Sequence, residues 1–314
     1  MNRLVNLVRN ENTKLSHSVS TWIMIGLIII AVVGFGLIAR FGGPMQPESD
    51  WKVKITSQIT QDKIELAETV NPQAKERVER RIQTNEYRLE HNIEPDGYLW
   101  GFVKDVSPIL VSLIALFAIV MGGGIVANEF SSGTIKLLLI RPSKRYKILL
   151  SKYISVLIYS VFMLVILLIT SFIVGVILFG FDGVDIPHLI NTGGNIKEVN
   201  MFLHIIGNCL LECINLVMMV TLSFMISSVF RNGAMAIGIG VFLLTVGNMI
   251  TSMLARYEWS KYILFANTDL TQYIDGQPFV EGMTMQFSII VLIVYFVIFN
   301  VIAYLGFVKR DITA

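Results

Sequence analysis

Six long apolar runs, separated by polar segments, dominate the hydropathy pattern of the chain. Each run is at least as long as the roughly 20 residues that an α-helix needs to cross about 30 Å of hydrocarbon. The runs cover residues 21–41, 106–127, 153–181, 201–230, 233–255 and 284–308. The pattern predicts an all-α polytopic membrane protein, in which residues 1–314 form a single transmembrane domain with six transmembrane helices.

Two shorter segments have the pattern of helices that lie at a membrane surface. Residues 1–20 place Leu4, Leu7 and Val8 on one helical stripe, which predicts an N-terminal interfacial helix. Residues 262–274 are apolar but too short to cross a membrane. They are expected to form either a re-entrant or interfacial helix or an external loop helix.

The long polar segment 42–105 separates the first two spans. Within it, Asn71 and Pro72 are typical of a helix start, with asparagine as the cap and proline at the first helical position. The residues beyond it that form one apolar stripe are Val78, Ile82, Leu89 and Ile93. We expect an external helical hairpin or subdomain whose stripe either binds a ligand or packs on the preceding helix. The alternative is a solvated spacer.

Lysine and arginine are concentrated on one side of the predicted topology. If the N-terminus is cytoplasmic, the segments on that side hold twelve basic residues against three acidic ones, a net charge of +9. The positive-inside rule therefore predicts a multi-pass protein of the cell membrane with both termini in the cytoplasm. Overall composition agrees with a membrane protein, because 54% of the residues are hydrophobic and only 15% are charged.

Motifs of soluble enzymes are absent from the sequence, which contains no phosphate-binding P-loop, no H-E-x-x-H pair and no G-x-S-x-G elbow. The four histidines lie on different segments, so no metal site is expected. Cys209 and Cys213 lie four residues apart inside one apolar run, which excludes a disulfide framework. We therefore expect no catalytic residue, no metal and no cofactor bound by this chain, and no nucleic-acid partner.

The segment after the second span predicts a short helix that is exposed on the cytoplasmic side. A Ser-Ser-Gly-Thr cluster at 131–134 precedes an apolar stretch, and Pro142 ends it before a basic run. Its apolar side chains are expected to dock another protein. The alternative is a loop folded against its own bundle, with basic residues that serve topology or contact anionic lipid.

Several separated segments resemble one known family, the type-2 permease subunits of ABC transporters, which are mainly exporters. Residues 11–15 are similar to the interfacial entry helix of that family, and 307–311 are similar to the end of its last helix. The residues similar to its coupling-helix stretch are Glu129, Gly133, Thr134, Leu138, Arg141, Pro142, Arg145 and Lys152. With six spans in the same order, the resemblance covers most of the chain outside the first external loop.

The resemblance implies a function and partners. In that family the coupling helix rests on a separate ATPase subunit, which binds ATP and magnesium, and transmits its closure to the spans. The implied complex contains two permease chains, either two copies of this chain or one copy with a similar chain, in a lipid bilayer. Two rivals are a membrane sensor or accessory protein that binds a ligand through the external loop, and a membrane enzyme built around Glu212.

Polar residues inside the fourth span form one further candidate site. His204, Asn208, Glu212 and Asn215 recur at helical spacing, so they share one face. A carboxylate at this depth is expected either to line a pathway for a cationic substrate or for protons, or to be neutral and hydrogen-bonded across a helix or dimer interface.

Two further features of the spans concern helix packing. Thr245, Asn248 and Thr251 of the fifth span and Asn300 of the sixth are expected to make hydrogen bonds between helices. The glycine run 122–124 predicts a close helix approach or a bend.

Overall fold

The computed structural model of the chain describes residues 2–42, 51–69, 72–95, 98–133, 144–181, 183–192, 194–274, 278, 280 and 282–309. Six of its helices are long and apolar enough to cross a membrane. They are α2 (Val19–Phe41), α5 (Tyr98–Ser131), α6 (Arg145–Phe179), α7 (Met201–Phe230), α8 (Gly233–Leu254) and α10 (Met285–Tyr304). The six predicted spans and the all-α membrane architecture are therefore confirmed.

Helices α5 and α6 are longer than the apolar runs that predicted them. The first begins at Tyr98 and the second at Arg145, each eight residues before its predicted span. The residues added to α5 are mainly apolar and buried, such as Leu99 and Phe102, and end in Lys104 and Asp105, whereas those added to α6 include three basic residues. The last span ends in a π-helical turn over Leu305–Lys309.

Helix α5 lies at the centre of the bundle and packs against α2, α6, α7 and α8. The predicted close approach at the glycine run is confirmed, since a Cβ on Gly123 would lie 3.2 Å from the backbone nitrogen of Ile237. Ser223 Oγ donates to the carbonyl of Ile119 at 2.8 Å. Ser227 Oγ donates to the carbonyl of Gly123 and accepts from the amide of Ala127. A hydroxyl of α7 thus bridges two backbone groups that an α-helix joins directly.

Between the first two spans, helices α3 (Trp51–Glu68) and α4 (Pro72–Glu90) form an antiparallel pair. The predicted stripe packs on α3, because Val78 and Ile82 are buried against Ile55 and Ile59. Arg81 clamps the pair with two hydrogen bonds to Asp62, at 2.8 and 2.5 Å. This contact raises the pKa of the Arg81 guanidinium. The helix start at Pro72 is confirmed, whereas Asn71 lies outside the described residues.

The segment between α6 and α7 holds a β-hairpin that the sequence analysis did not predict. Strand β1 (His188–Thr192) pairs antiparallel with β2 (Asn195–Val199). Asn191 Nδ2 donates to the carbonyl of Arg80 at 3.2 Å, and the Tyr87 hydroxyl donates to Glu198 at 3.1 Å. The hairpin therefore contacts α4. The sequence signal for it is the Gly193-Gly194 dipeptide between two short segments.

Residues 258–273 form short helical turns instead of one helix. They are a 3₁₀ turn over Glu258–Tyr262, the one-turn helix α9 (Leu264–Asn267) and a second 3₁₀ turn over Thr271–Tyr273. Leu264 and Leu270 are buried against α7 and α10. Asn267 fixes the turns to α10, because its Oδ1 accepts from Ser288 Oγ at 2.7 Å.

The bundle has two distinct ends. We call one end the terminal end; it carries α1 (Asn2–Ser16), the last turn of α5, the first turn of α6, the α7–α8 turn and the end of the last span. The opposite end, with α3, α4, the hairpin and the turns at 258–273, is the loop end. Helix α1 packs on α6 at the terminal end, as expected for a helix that lies along the bundle surface.

Candidate functional site

Four charged side chains from three helices meet at the terminal end. Lys152 Nζ lies 3.0 Å from Glu11 Oε2 and 2.9 Å from Glu129 Oε1. Lys14 Nζ lies 3.3 Å from Glu11 and 3.5 Å from Glu129. The Lys152 side chain is 1% exposed, Glu11 8% and Glu129 15%, whereas Lys14 is half exposed. We call these four residues the charge cluster.

The charge cluster joins α1 to the two helices that flank segment 134–143. Glu11 and Lys14 share a face of α1, Glu129 lies in the last turn of α5, and Lys152 lies in the third turn of α6. Two carboxylates and two ammonium groups balance, which is the condition for keeping charges out of water. A displacement of α5 or α6 at this end therefore acts on α1 as well.

Aromatic contacts add the end of the last span to the same region. The rings of Phe130 and Phe307 meet edge to face, 6.1 Å apart, and Phe307 is 1% exposed. The guanidinium of Arg231 also lies over the Phe130 ring, 4.6 Å from the ring centroid. The last turn of α5, the end of the last span and the α7–α8 turn are therefore in contact through one side chain.

The predicted coupling residues are divided between described and undescribed parts of the chain. Glu129 belongs to the charge cluster and Arg145 is the first residue of α6. Gly133 has a φ of +71°, a left-handed conformation that favours glycine after the end of a helix. The residues that lie outside the described residues, with the predicted short helix, are Thr134, Leu138, Arg141 and Pro142.

A cavity of about 1070 Å³ lies beside the charge cluster, between α1, α2, α5 and the α7–α8 turn. The cluster residues and Asn128 line its polar part. Deeper in the bundle its walls are apolar, with Met24, Met121 and Ile237. We call it the terminal-end cavity.

The four polar residues of α7 form two linked pairs. Asn208 Nδ2 lies 3.1 Å from His204 Nε2, and Asn215 Nδ2 donates to Glu212 Oε2 at 3.3 Å. The His204 ring also lies 4.4 Å from the ring of His188 on β1. The sequence does not predict this contact, because the two histidines lie on different segments. Glu212 thus has a hydrogen-bond donor on its own helix, one turn further along.

Three of these four side chains line a second cavity, of about 590 Å³, between α5, α6 and α7. We call it the loop-end cavity. Its lining includes His204, Asn208 and Glu212, whereas Asn215 is not part of it. Asp269, in the turns at 258–273, also lines it. The candidate carboxylate in the fourth span therefore faces a cavity.

No group of three or more histidine, cysteine or acidic side chains is placed to hold a metal ion among the residues that the structure describes. Cys209 and Cys213 are both free thiols. Cys209 lines the loop-end cavity, and Cys213 lines an apolar groove beside α10.

A polar stripe on α8 faces away from the rest of the chain. Thr245, Asn248 and Ser252 recur at helical spacing and are exposed. The hydroxyls of Thr245 and Thr251 donate to carbonyls of α8 itself, so the expected bonds between helices are wrong for these two residues. Exposed small residues, Ala234 and Gly238, continue the stripe toward the terminal end.

Comparisons with known proteins agree with the membrane architecture. Residues 75–313 match a family model described as "Protein of unknown function (DUF2705)". The chain is 43% identical to "Uncharacterized protein YhcI" of Bacillus subtilis (strain 168), over 98% of this chain and 99% of that protein. It is 35% identical to "Uncharacterized membrane protein YdbK" of the same organism, over 69% of this chain and 82% of that protein. Together with the six apolar helices, these findings identify a multi-pass membrane protein.

Proposed function

The chain belongs to the DUF2705 family, and from its own residues we propose that it is the membrane-spanning permease subunit of an ABC transporter, an exporter of the type-2 class. ATP hydrolysis then takes place on a separate ATPase chain, which binds ATP and magnesium. This chain supplies the pathway and no covalent chemistry.

One observation carries the proposal. The three segments that resemble the family lie far apart in sequence, yet their residues meet at the terminal end. Glu11 of the entry helix and Glu129 at the end of α5 share Lys152. Phe307 of the last helix packs on Phe130, next to Glu129. Such convergence supports a common mechanical role, since three unrelated resemblances would have no reason to coincide in space.

The contacts suggest how force reaches the spans. Segment 134–143 connects the ends of α5 and α6, which the charge cluster holds together with α1. A push on this segment from an ATPase that closes on ATP is transmitted to both helices and to the surface helix. A small movement at such a junction is amplified when the packed helices have two alternative arrangements. The glycine run of α5 lies one to two turns from Glu129, where Ser227 of α7 makes hydrogen bonds to two backbone groups of α5.

Orientation in the membrane follows the charge distribution. The terminal end carries the basic segments, including Lys147 and Arg231, so the proposal places this end in the cytoplasm of the cell membrane. That is the compartment in which an ATPase partner and its ATP are found. The loop end, with α3, α4 and the hairpin, then faces outward.

Pairing with a second permease chain is supported by the stripe on α8. Amide and hydroxyl groups such as Asn248 are costly in contact with lipid, because hydrocarbon offers no hydrogen-bond partner. The Ala234-xxx-Gly238 spacing allows close approach of a second helix. We therefore place the partner chain, a second copy or a similar permease, against this face of α8.

The alternative function, a membrane sensor, needs a ligand site on the external helices. The apolar stripe of α4 does not offer one, because it is buried against α3. The external helices nevertheless contact the hairpin, so this region remains the place to look for an accessory partner.

The proposal is tested by co-expression of this chain with the P-loop ATPase encoded nearest to its gene, followed by co-purification and an ATPase assay in nanodiscs. We expect the two chains to purify together and Leu138→Asp to release the ATPase. Val53→Asp is the matched control, because Val53 is 63% exposed on α3 at the loop end. If no ATPase binds while the chain is folded and monodisperse, the transporter proposal is wrong.

A further inference from the structure

The loop-end cavity has the size and lining of a small-molecule site. Its volume of about 590 Å³ is within the range of roughly 300–1,000 Å³ found for ligand pockets. Apolar side chains of α5, α6 and α7, such as Val111, Leu164 and Leu167, form one part of the lining. Eight of the fifteen lining residues are polar or charged, so a ligand in this site meets both apolar walls and polar groups.

A carboxylate lies deep in this cavity. Glu212 follows Met201, the first residue of α7, by eleven positions. At 1.5 Å per residue it lies about 16 Å along the helix, close to half of the hydrocarbon thickness. An ionisable side chain at this depth is expected to face a cavity and to serve a function. Glu212 meets the first condition.

Charged groups in the cavity favour a cation. Asp105, Glu212 and Asp269 contribute three carboxylates against one ammonium group, that of Lys104. Asp269 is held by its own turn, because its Oδ1 accepts from the amide of Thr271 at 3.0 Å. The apolar walls concentrate this negative field, since low-dielectric surroundings strengthen the attraction of a counter-charge.

The lining fits an organic cation better than a metal ion. Among the described residues no group of three histidine, cysteine or acidic side chains is placed to ligate a metal. Leucine and valine walls cannot replace the hydration shell of a bare ion, whereas they bury the apolar body of an organic one. We propose that the loop-end cavity is a binding site for organic cations with an apolar body, and that Glu212 is their counterion.

The test uses two probes of nearly equal shape and opposite charge, tetraphenylphosphonium and tetraphenylborate. Binding of each is measured by equilibrium dialysis against the full chain in nanodiscs of phosphatidylcholine. We expect saturable binding of the cation and none of the anion. The change Glu212→Gln keeps the shape of the side chain and should weaken cation binding by at least about tenfold, because it removes the Coulombic attraction of one carboxylate.

A matched control and a second variant keep the test decisive. Glu258→Gln removes an exposed carboxylate at the same end of the bundle, outside the cavity, and should leave binding unchanged. If Glu212→Gln does not fold, Asp269→Asn replaces it and should also weaken binding. The proposal is overturned if the folded cavity variants bind like the wild type, or if the anion binds as tightly as the cation.

This inference is separate from the proposed function, because the assay contains no ATPase. Cation binding that depends on Glu212 would stand even if no ATPase partner were found. Conversely, a chain that binds its ATPase but not the probe would keep the transporter proposal and lose only this site.

Discussion

Lys152 gives the sharpest test of the charge cluster. The change Lys152→Met keeps the length of the side chain and removes the ammonium group that lies within 3.0 Å of both Glu11 and Glu129. Removing one partner of a buried ion pair costs about 3–5 kcal/mol. Lys14 stays near both carboxylates, but it is half exposed, so we expect a loss at the lower end, about 3 kcal/mol.

The loss is measured by heating the detergent-solubilised chain and recording the fraction that stays monodisperse in size-exclusion chromatography. At about 2–4 °C per kcal/mol, the midpoint should fall by about 6–12 °C. Lys147→Met is the control, because Lys147 lies on the same helix and makes no ion pair among the described residues. Neutralising Lys152, Glu11 and Glu129 together should restore most of the loss, since no buried charge is then left unpaired.

Two results would refute this reasoning. If Lys152→Met unfolds at the same temperature as the wild type, the cluster does not hold α1 to the bundle. If the triple variant is no more stable than Lys152→Met, the loss comes from packing and not from uncompensated charge.

Three further predictions concern packing, pairing and topology. Gly123→Val should lower stability by about 1–3 kcal/mol through overpacking, in the same heating assay, whereas Gly26→Val, where a Cβ meets no atom within 4 Å, should have little effect. Asn248→Leu should shift the chain from dimer to monomer in light scattering after nanodisc reconstitution, and an unchanged dimer would contradict the α8 interface. In a background without native cysteines, an impermeant maleimide should label Asn195→Cys in intact cells and Ser16→Cys only after lysis; the reverse pattern would invert the topology.

The sequence predicts the spans well because lipid imposes one strong rule on them. Helix α7 runs over Met201–Phe230, the predicted range, since its polar neighbours mark both ends. The charge cluster was not predicted as a unit. Glu11 and Lys152 lie 141 positions apart, and in the sequence each one alone is typical of a charged residue at a membrane surface. Only the packing of α1 on α6 shows that they share one buried site.

Two further features of the structure, the hairpin and the packing of α4, have only weak signals in the sequence. The hairpin at 188–199 is short and sits in a segment without apolar periodicity, so its turn glycines were the one available sign. Likewise, the stripe of α4 was visible in sequence, but not its neighbour, because two amphipathic helices joined by a short connection can pack together or apart. Burial of Val78 against α3 decides that question.

The two cavities and the layer between them lead to a last prediction, on the accessibility of Cys209. Along α5, Val111 lines the loop-end cavity and Val120 lines the terminal-end cavity, so about 14 Å of helix separates them. Ile114, Ala115 and Ala118 fill this layer and are each 1% exposed. A water-soluble reagent is therefore expected to reach Cys209 from the loop end and not from the terminal end.

The charges that line the loop-end cavity should also make two thiol reagents of opposite charge react with Cys209 at different rates. With Cys213 changed to serine, a cationic methanethiosulfonate should modify Cys209 faster than an anionic one, because three carboxylates and one ammonium line the cavity. Glu212→Gln should reduce that preference without closing the cavity, and tetraphenylphosphonium should slow both reactions by occupying the space. Equal rates for the two reagents would mean that the carboxylates are not negatively charged toward the cavity, and the cation site would then be lost.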